Sequence, residues 1–175
     1  MPAPPKMVLE TERLWLRHLV PDDLDDMAAI LTDPETMQYY QRPFTRDEAG
    51  EWIAQNIQRY ETDGFGLWAV VSKETGEFLA DCGPVRRLVD ERQEVEIGWQ
   101  VNRHHWRQGI ASEAGAGCRD YAFETLGLER VISLIRPENV PSRGVAEKIG
   151  MTIDKTIDYK GMIHHVYAVE RPRAS

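Results

Sequence analysis

The stretch from Glu94 to Cys118 limits the possible folds of this chain more than any other. In Glu94-Val95-Glu96-Ile97-Gly98-Trp99-Gln100-Val101, the residues Val95, Ile97, Trp99 and Val101 alternate with Glu94, Glu96, Gly98 and Gln100, the period of a strand. Gly98 inside that pattern suggests a bulge, or a place where another backbone or a ligand comes close. A polar turn from Asn102 to Gly109 follows, and then Ala111, Ala114, Gly115, Cys118 and Ala122 recur at helical spacing. Strand, small-residue turn and helix start in succession make an anion site out of main chain. The first N–H groups of a helix lack partners, its dipole is positive there, and Gly109 lets a phosphate approach. Neither Gly-x-x-x-x-Gly-Lys-Ser/Thr nor Gly-x-Gly-x-x-Gly occurs in the chain, which excludes the Walker-type and dinucleotide-binding forms of such a site.

Composition narrows the partners. The 29 acids outnumber the 21 bases for a net charge of −8, so the electrostatic footprint of nucleic-acid binding is missing; such a surface would attract a cationic substrate such as an amine, or serve solubility alone, as acidic surfaces commonly do. No run approaches 18 apolar residues and no apolar signal core follows Met1-Pro2-Ala3-Pro4-Pro5-Lys6, so no membrane partner and a cytoplasmic location are expected. The Pro-rich residues 1–6 read as a mobile tail, and 7–175, without repeat or linker, as one domain. Cys82 and Cys118 form neither a disulfide framework nor a metal motif, and Cys118 reads as a small buried hydrophobe on its helix. The adjacent pairs His104-His105 and His164-His165 lack a carboxylate at ligand spacing, so no metal is expected.

Around the central stretch, Leu9 to Leu19 reads as a first strand and Pro21-Asp22-Asp23 opens a helix that Asp33-Pro34 closes. Thr45-Arg46-Asp47-Glu48 caps a second helix running to about Thr62, with Trp52, Ile53, Ile57 and Tyr60 as its buried stripe. Leu67 to Val71 and Phe78 to Gly83 read as a hairpin, with Pro84 to Arg92 as a connector. Arg130 to Ile135 suits an interior strand, a short helix ends at Lys148-Ile149-Gly150, and two last strands flank Lys160-Gly161. About five to seven strands interleaved with helices give an α+β fold, a three-layer α/β/α sandwich around a mixed sheet.

Trp106-x-x-Gly109-x-Ala111 at a helix start, after Glu96-Ile97-Gly98-Trp99, resembles the acyl-CoA pyrophosphate motif of the GNAT N-acetyltransferases, in particular the branch with the ribosomal-protein N-terminal acetyltransferases. The usual motif opens with Gln or Arg where this chain has Trp106, a departure associated with that branch. Asn139-x-x-Ser142, followed by Glu147-Lys148-Ile149-Gly150-Met151, resembles the family's second segment, in which the Asn binds the pantetheine arm and the helix helps position the thioester. Read by itself, Asn139 is as well explained as a helix cap through the Ser142 amide.

The resemblance implies a GNAT-like acyl-CoA N-acyltransferase fold with a mostly antiparallel central sheet. The strands ending at Val101 and beginning at Arg130 would part in a V that takes the CoA arm. It implies acetyl-CoA as cosubstrate, bound by Trp99, Val101, Arg107, Gln108, Gly109, Ile110, Ala111, Ser112, Asn139 and Ser142. The residues from Met37 to Phe44 would line the substrate pocket or pack its roof down. The acceptor would be an amine, a small molecule or a protein N-terminus, and a homodimer is compatible.

Amine acylation needs a neutral nucleophile, and an alkyl amine with a pKa near 10 is mostly protonated at neutral pH, so a base within reach of the amine is useful. Glu96 is the first candidate and Glu94, two residues away on the same face, the second. Main-chain N–H groups near Trp99 or Val101 would meet the thioester oxygen. Many relatives place a Tyr in the second segment to protonate the departing thiolate. Here that position is Ala146, which leaves Ser142 and, more remotely, Tyr167. A different acyl group such as succinyl would call for a basic residue, for which Arg42, Arg86 and Arg87 are available, and a silent acyl-CoA-binding module is the non-enzymatic alternative.

Overall fold

The computed structural model describes residues 3–174. Among them the chain forms β1 (Met7–Glu10), β2 (Leu14–His18), α1 (Leu24–Leu31), α2 (Arg46–Thr62), β3 (Trp68–Ser72), β4 (Phe78–Val89), β5 (Arg92–Val101), α3 (Ile110–Glu124), β6 (Arg130–Ile135), α4 (Val140–Lys148), β7 (Thr152–Tyr159) and β8 (Met162–Glu170). All eight strands join one sheet in the order β1-β2-β3-β4-β5-β6-β8-β7, and β5–β6 is its one parallel pair. Residues 1 and 2 of the expected tail lie outside the described residues, and its other end is tied by the His18 N–H donating to the Lys6 carbonyl.

The two faces of β3 explain the layers. Trp68 and Val70 pack with Ile110, Ala114 and Cys118 of α3, while Ala69 and Val71 pack with Met27, Ile30 and Ile53 of α1 and α2. Strand side chains alternate between faces, so α3 lies on one side of the sheet and α1 with α2 on the other. Helix α4 joins the α3 side through Ala146 and Ile149. A strand covered on both faces reads as an unbroken apolar run, which is how Leu67 to Val71 appears in the sequence. The small residues on the inner face of α3 let it settle close to the strands, and Cys82 and Cys118 meet there at 3.7 Å. The Cys118 contact and burial push the Cys82 thiol well above its usual value, which removes it as a thiolate nucleophile.

Three expectations are corrected. The first strand is two: the polar residues Thr11, Glu12 and Arg13 break it, with the Thr11 N–H donating to the Leu14 carbonyl. Pro84 to Arg92 is no connector, since β4 continues to Val89 and turns into β5 through Asp90 and Glu91, both left-handed (φ 52° and 64°), as in a two-residue hairpin. Pro84 is tolerated inside this strand because β3 ends its pairing at Trp68↔Cys82 and requires no N–H from it. Gly98 is not a bulge, since it pairs with Gly83 in an unbroken β4–β5 register.

Gly83 is fixed by contact. A Cβ there would stand 2.2 Å from the Gly66 carbonyl oxygen and 2.9 Å from the Leu67 Cα, and backbone cannot rotate aside. Gly83→Ala is therefore expected to cost about 3 kcal/mol or more, at the upper end for overpacking, read as a lower urea midpoint at unchanged m-value.

Candidate active site

The sheet is open in its middle. β5 and β6 pair only at Glu96↔Ile132, and beyond that pair side chains replace the ladder. The Ser133 hydroxyl donates to the Ile97 carbonyl at 2.7 Å, and the Leu134 N–H donates to the Glu96 carboxylate at 3.2 Å. Farther along, the strands diverge and a cavity of about 1160 Å³ extends between them, under the roof formed by 35–44 and α2. The V implied by the resemblance is thus held open by Ser133 and Glu96.

Strand parity sorts the chemistry. The Asn102 N–H reaches back across to the Leu79 carbonyl of β4, so the peptide groups of Trp99 and Val101, of opposite parity, face the gap. The Trp106 indole takes the Val101 carbonyl at 2.9 Å, which leaves the Trp99 and Val101 N–H groups directed into the gap. Trp106 therefore fastens the loop after β5 to the end of that strand, a role that a Gln or Arg at this position would fill differently. The even-numbered side chains of Glu96 and Gln100 stand on the roof side, and the Trp99 side chain goes to the opposite side, where its indole donates to the Ser142 hydroxyl at 3.2 Å.

At the start of α3, Arg107 (φ 61°) and Gly109 (φ 76°) are left-handed, and Gly109 is the N-cap without any side-chain cap bond. The first N–H of this turn to find a backbone partner is that of Glu113, on the Gly109 carbonyl. The amides of Arg107, Gln108, Gly109, Ile110, Ala111 and Ser112 have no acceptor among the described turn and cap bonds. Arg107, Gly109, Ile110, Ala111 and Ser112 line the cavity, and Gln108 does not. Unpaired amides at a positive helix end form a concave anion cradle.

Sequence reasoning missed Arg13 beside this cradle. The turn between β1 and β2 lies against α3, where Glu113 accepts from the Thr11 hydroxyl, from the Arg13 N–H at 2.9 Å and from Arg13 Nε at 2.7 Å. Burial lifts the Glu113 carboxyl, but these hydrogen bonds and the Arg13 charge outweigh it and hold the carboxyl below its usual range. An acid in the first turn is thereby neutralised, and Arg13 Nη2 stands 3.2 Å from where a Gly109 Cβ would be. Reading 9–19 as one strand hid that turn.

Asn139 caps α4, its Oδ1 accepting from the Ser142 N–H at 3.2 Å. It also lines the cavity, and the cap uses only its oxygen, so the amide NH₂ remains for another acceptor. Ser142 lines the cavity as well. Because its oxygen accepts from Trp99, its own proton stays available. Ala146 is fully buried. Tyr167 is buried with its hydroxyl held by Arg143 at 2.9 Å and is not part of the cavity wall.

Glu96 lines the cavity and keeps a carboxylate oxygen 3.0 Å from Arg87 Nε. Glu94 does not share its site, being gripped by Arg92 and Arg130 at 3.1 Å each in a separate small depression. Beside Glu96, the Gln100 amide donates to the Tyr40 hydroxyl at 2.8 Å. Tyr40 as a whole is 39% exposed, and it is loss of water around the hydroxyl end that pushes that group up to about 12. The Gln100 Oε1 is buried without a partner, a polar atom that a ligand donor in the cavity would satisfy. Beneath lies Asp81, fully buried, accepting from the Trp52 indole at 2.9 Å and the Gln100 N–H at 3.1 Å. Burial pushes its carboxyl up to about 7, against those two bonds. Trp52, expected in the buried stripe of α2, packs against the α1–α2 core and also lines the cavity, while the polar Asn56, which that stripe did not include, is buried in the same helix.

Known proteins resemble the chain over most of its length. The chain is 37% identical over 153 residues to the uncharacterized protein YkkB of Bacillus subtilis (strain 168), a match covering 87% of this chain and 89% of YkkB. The acetyltransferase of Agrobacterium tumefaciens str. C58 superposes with a TM-score of 0.82 at 28% identity, over 98% of this chain and 96% of that one. The ribosomal-protein-S5-alanine acetyltransferase of Vibrio fischeri gives a TM-score of 0.73 at 15% identity, over 93% and 95% of the two chains, a likeness of fold. The family model described as acetyltransferase (GNAT) domain matches residues 13–152, and with a split sheet and bare amides at the α3 start already in view, the chain belongs to the GNAT acetyltransferases.

Proposed function

We propose that this protein is an N-acetyltransferase that moves an acetyl group from acetyl-CoA to a primary amine by direct attack in a ternary complex. The observation that carries this reading is the row of unpaired amides from Arg107 to Ser112 at one end of the cavity, with Glu96 in the same cavity. The thioester supplies an activated acyl carbonyl, and the protein's residues supply the rest. The amides at the α3 start, with Arg13 alongside, hold the diphosphate. The gap-facing N–H groups of Trp99 and Val101 and the free amide of Asn139 hold the extended arm, in the manner of a strand added to an edge.

Glu96 takes the proton of the attacking amine. Two of its lone pairs are engaged, by Arg87 and by the Leu134 N–H, and an ionised carboxylate has others to offer. A main-chain N–H on β5 meets the carbonyl oxygen as charge develops on it. The Ser142 hydroxyl, polarised by the Trp99 indole, donates to the departing sulfur. Thiols ionise near 8.5, so this last donation need only be weak, and a hydroxyl is adequate where Ala146 replaces the usual Tyr.

Incubation with acetyl-CoA and a panel of amines, following free thiol, tests the reading. Thiol release that depends on the amine is expected. Tight CoA binding with no release across the panel would instead identify a binding module.

A further inference from the structure

The charges around Glu96 do not balance. Arg87 bonds Glu96 through Nε alone, so its terminal nitrogens have no acceptor among the described hydrogen bonds. Arg59, on the cavity face of α2, also lines the site. Its one described hydrogen bond goes from Nη1 to Asn56 Oδ1 at 3.0 Å, and no carboxylate forms a salt bridge with it among the described residues. The nearby Asp63 is engaged at 3.6 Å by Arg86. Arg86 does not line the cavity, so within it Arg59 and Arg87 stand against the carboxylate of Glu96, which Arg87 already holds. The surplus charge lies on Arg59. Burial, and after it the neighbouring Arg87, weaken the hold of Arg59 on its proton, as befits two cations brought together.

Arg59 is also aimed. Asn56 is fully buried and locked by two backbone bonds, its Nδ2 donating to the Trp52 carbonyl and its Oδ1 accepting from the Leu67 N–H, both at 2.9 Å. The same Oδ1 fixes one arm of the guanidinium. Of the other cavity-lining arginines, Arg42 gives both terminal nitrogens to Glu48 and Arg136 is taken by Glu138, while Arg107 belongs to the turn before α3, away from Glu96. A fixed guanidinium with free N–H groups beside a second one matches the bidentate geometry of a carboxylate.

We infer that Arg59 and Arg87 form a carboxylate subsite at the acceptor end of the cavity, so that a reactant carries a carboxylate close to the group undergoing transfer. The inference rests on the acyltransfer reading. With the amine at Glu96 and the carboxylate on the two arginines, the acceptor is an amino acid or a similarly short amino carboxylate. The protein's overall negative charge gathers the ammonium group, and this corner selects the anion. The same chemistry would be met by an acyl donor that ends in a carboxylate.

Calorimetric titrations of the CoA-loaded full chain distinguish these sources and need no turnover. One arm compares the twenty α-amino acids and β-alanine with their primary amides, and a second compares succinyl-CoA with acetyl-CoA on the unloaded protein. At least one carboxylate ligand is expected to bind about 10- to 100-fold more tightly than its neutral counterpart, the range for a charge-assisted pair. Arg59→Gln is expected to bring that ratio close to one, and Arg59→Lys to restore part of it. A preference in the first arm assigns the subsite to the acceptor, and in the second to the donor. Ratios near one in both arms, or a preference that survives Arg59→Gln, overturn the inference. Arg59-dependent carboxylate binding in a protein that releases no thiol with any amine would uphold the subsite and reject the transfer reading.

Discussion

Gly109→Asp is expected to lower CoA affinity by at least about 100-fold, close to 3 kcal/mol, while leaving the protein folded. Gly109 has a φ of 76°, a region that Asp and Asn enter more readily than other residues, so the backbone can keep its path. The new Cβ would meet only Arg13 Nη2, at 3.2 Å, the end of a flexible side chain. The carboxylate would then sit among the amides from Arg107 to Ser112 and draw off the charge of Arg13. Each of these donors serves an anion better than it serves water, and a built-in anion takes the place of the diphosphate. Gly109→Asn separates charge from bulk, because it adds nearly the same volume without charge and is expected to retain most of the affinity. Calorimetry with CoA and a thermal melt read both quantities. Unchanged affinity in the Asp variant would mean that the diphosphate is held elsewhere.

The bare amides at the α3 start were legible in the sequence because they are local: helix spacing after Gly109 suffices to expose the first amides, whatever the rest of the fold does. The gap between β5 and β6 followed only from the resemblance. Its physical cause, Ser133 and Glu96 replacing ladder bonds with side-chain bonds, links residues nearly forty positions apart and leaves no periodic trace. Pro84 and the Asp90-Glu91 turn misled for a related reason. A proline usually ends a strand and Asp-Glu is not a preferred hairpin pair, but here the neighbouring strand stops short and the β4–β5 register overrides the turn preference. The acceptor end was the least legible part. Tyr40 comes from the roof segment 35–44 and Trp52 and Arg59 from α2, and each has an ordinary surface or core reading until the fold brings it to the cavity. Arg13, beside the α3 start, was hidden in the turn between β1 and β2.

The strongest test of the chemistry is Glu96→Gln, expected to lower turnover at neutral pH by about 100-fold, the lower part of the range for a positioned general base, with CoA affinity kept within about twofold. The difficulty is that Glu96 has structural duties too, holding Arg87 and the Leu134 N–H. Glutamine retains one carbonyl oxygen, enough for the Leu134 amide, and loses the ion pair. pH separates the two contributions. As pH rises toward the pKa of the amine, near 10 for a lysine-type group, a growing fraction of acceptor arrives already neutral and has less need of a base. The deficit of the variant should therefore shrink as pH rises if Glu96 removes the proton, whereas a distorted gap would slow the reaction equally at every pH and weaken CoA binding as well. A variant with the wild-type rate at neutral pH, or with a deficit flat across the range, would take the base role from Glu96 and leave it the task of holding β5 and β6 apart.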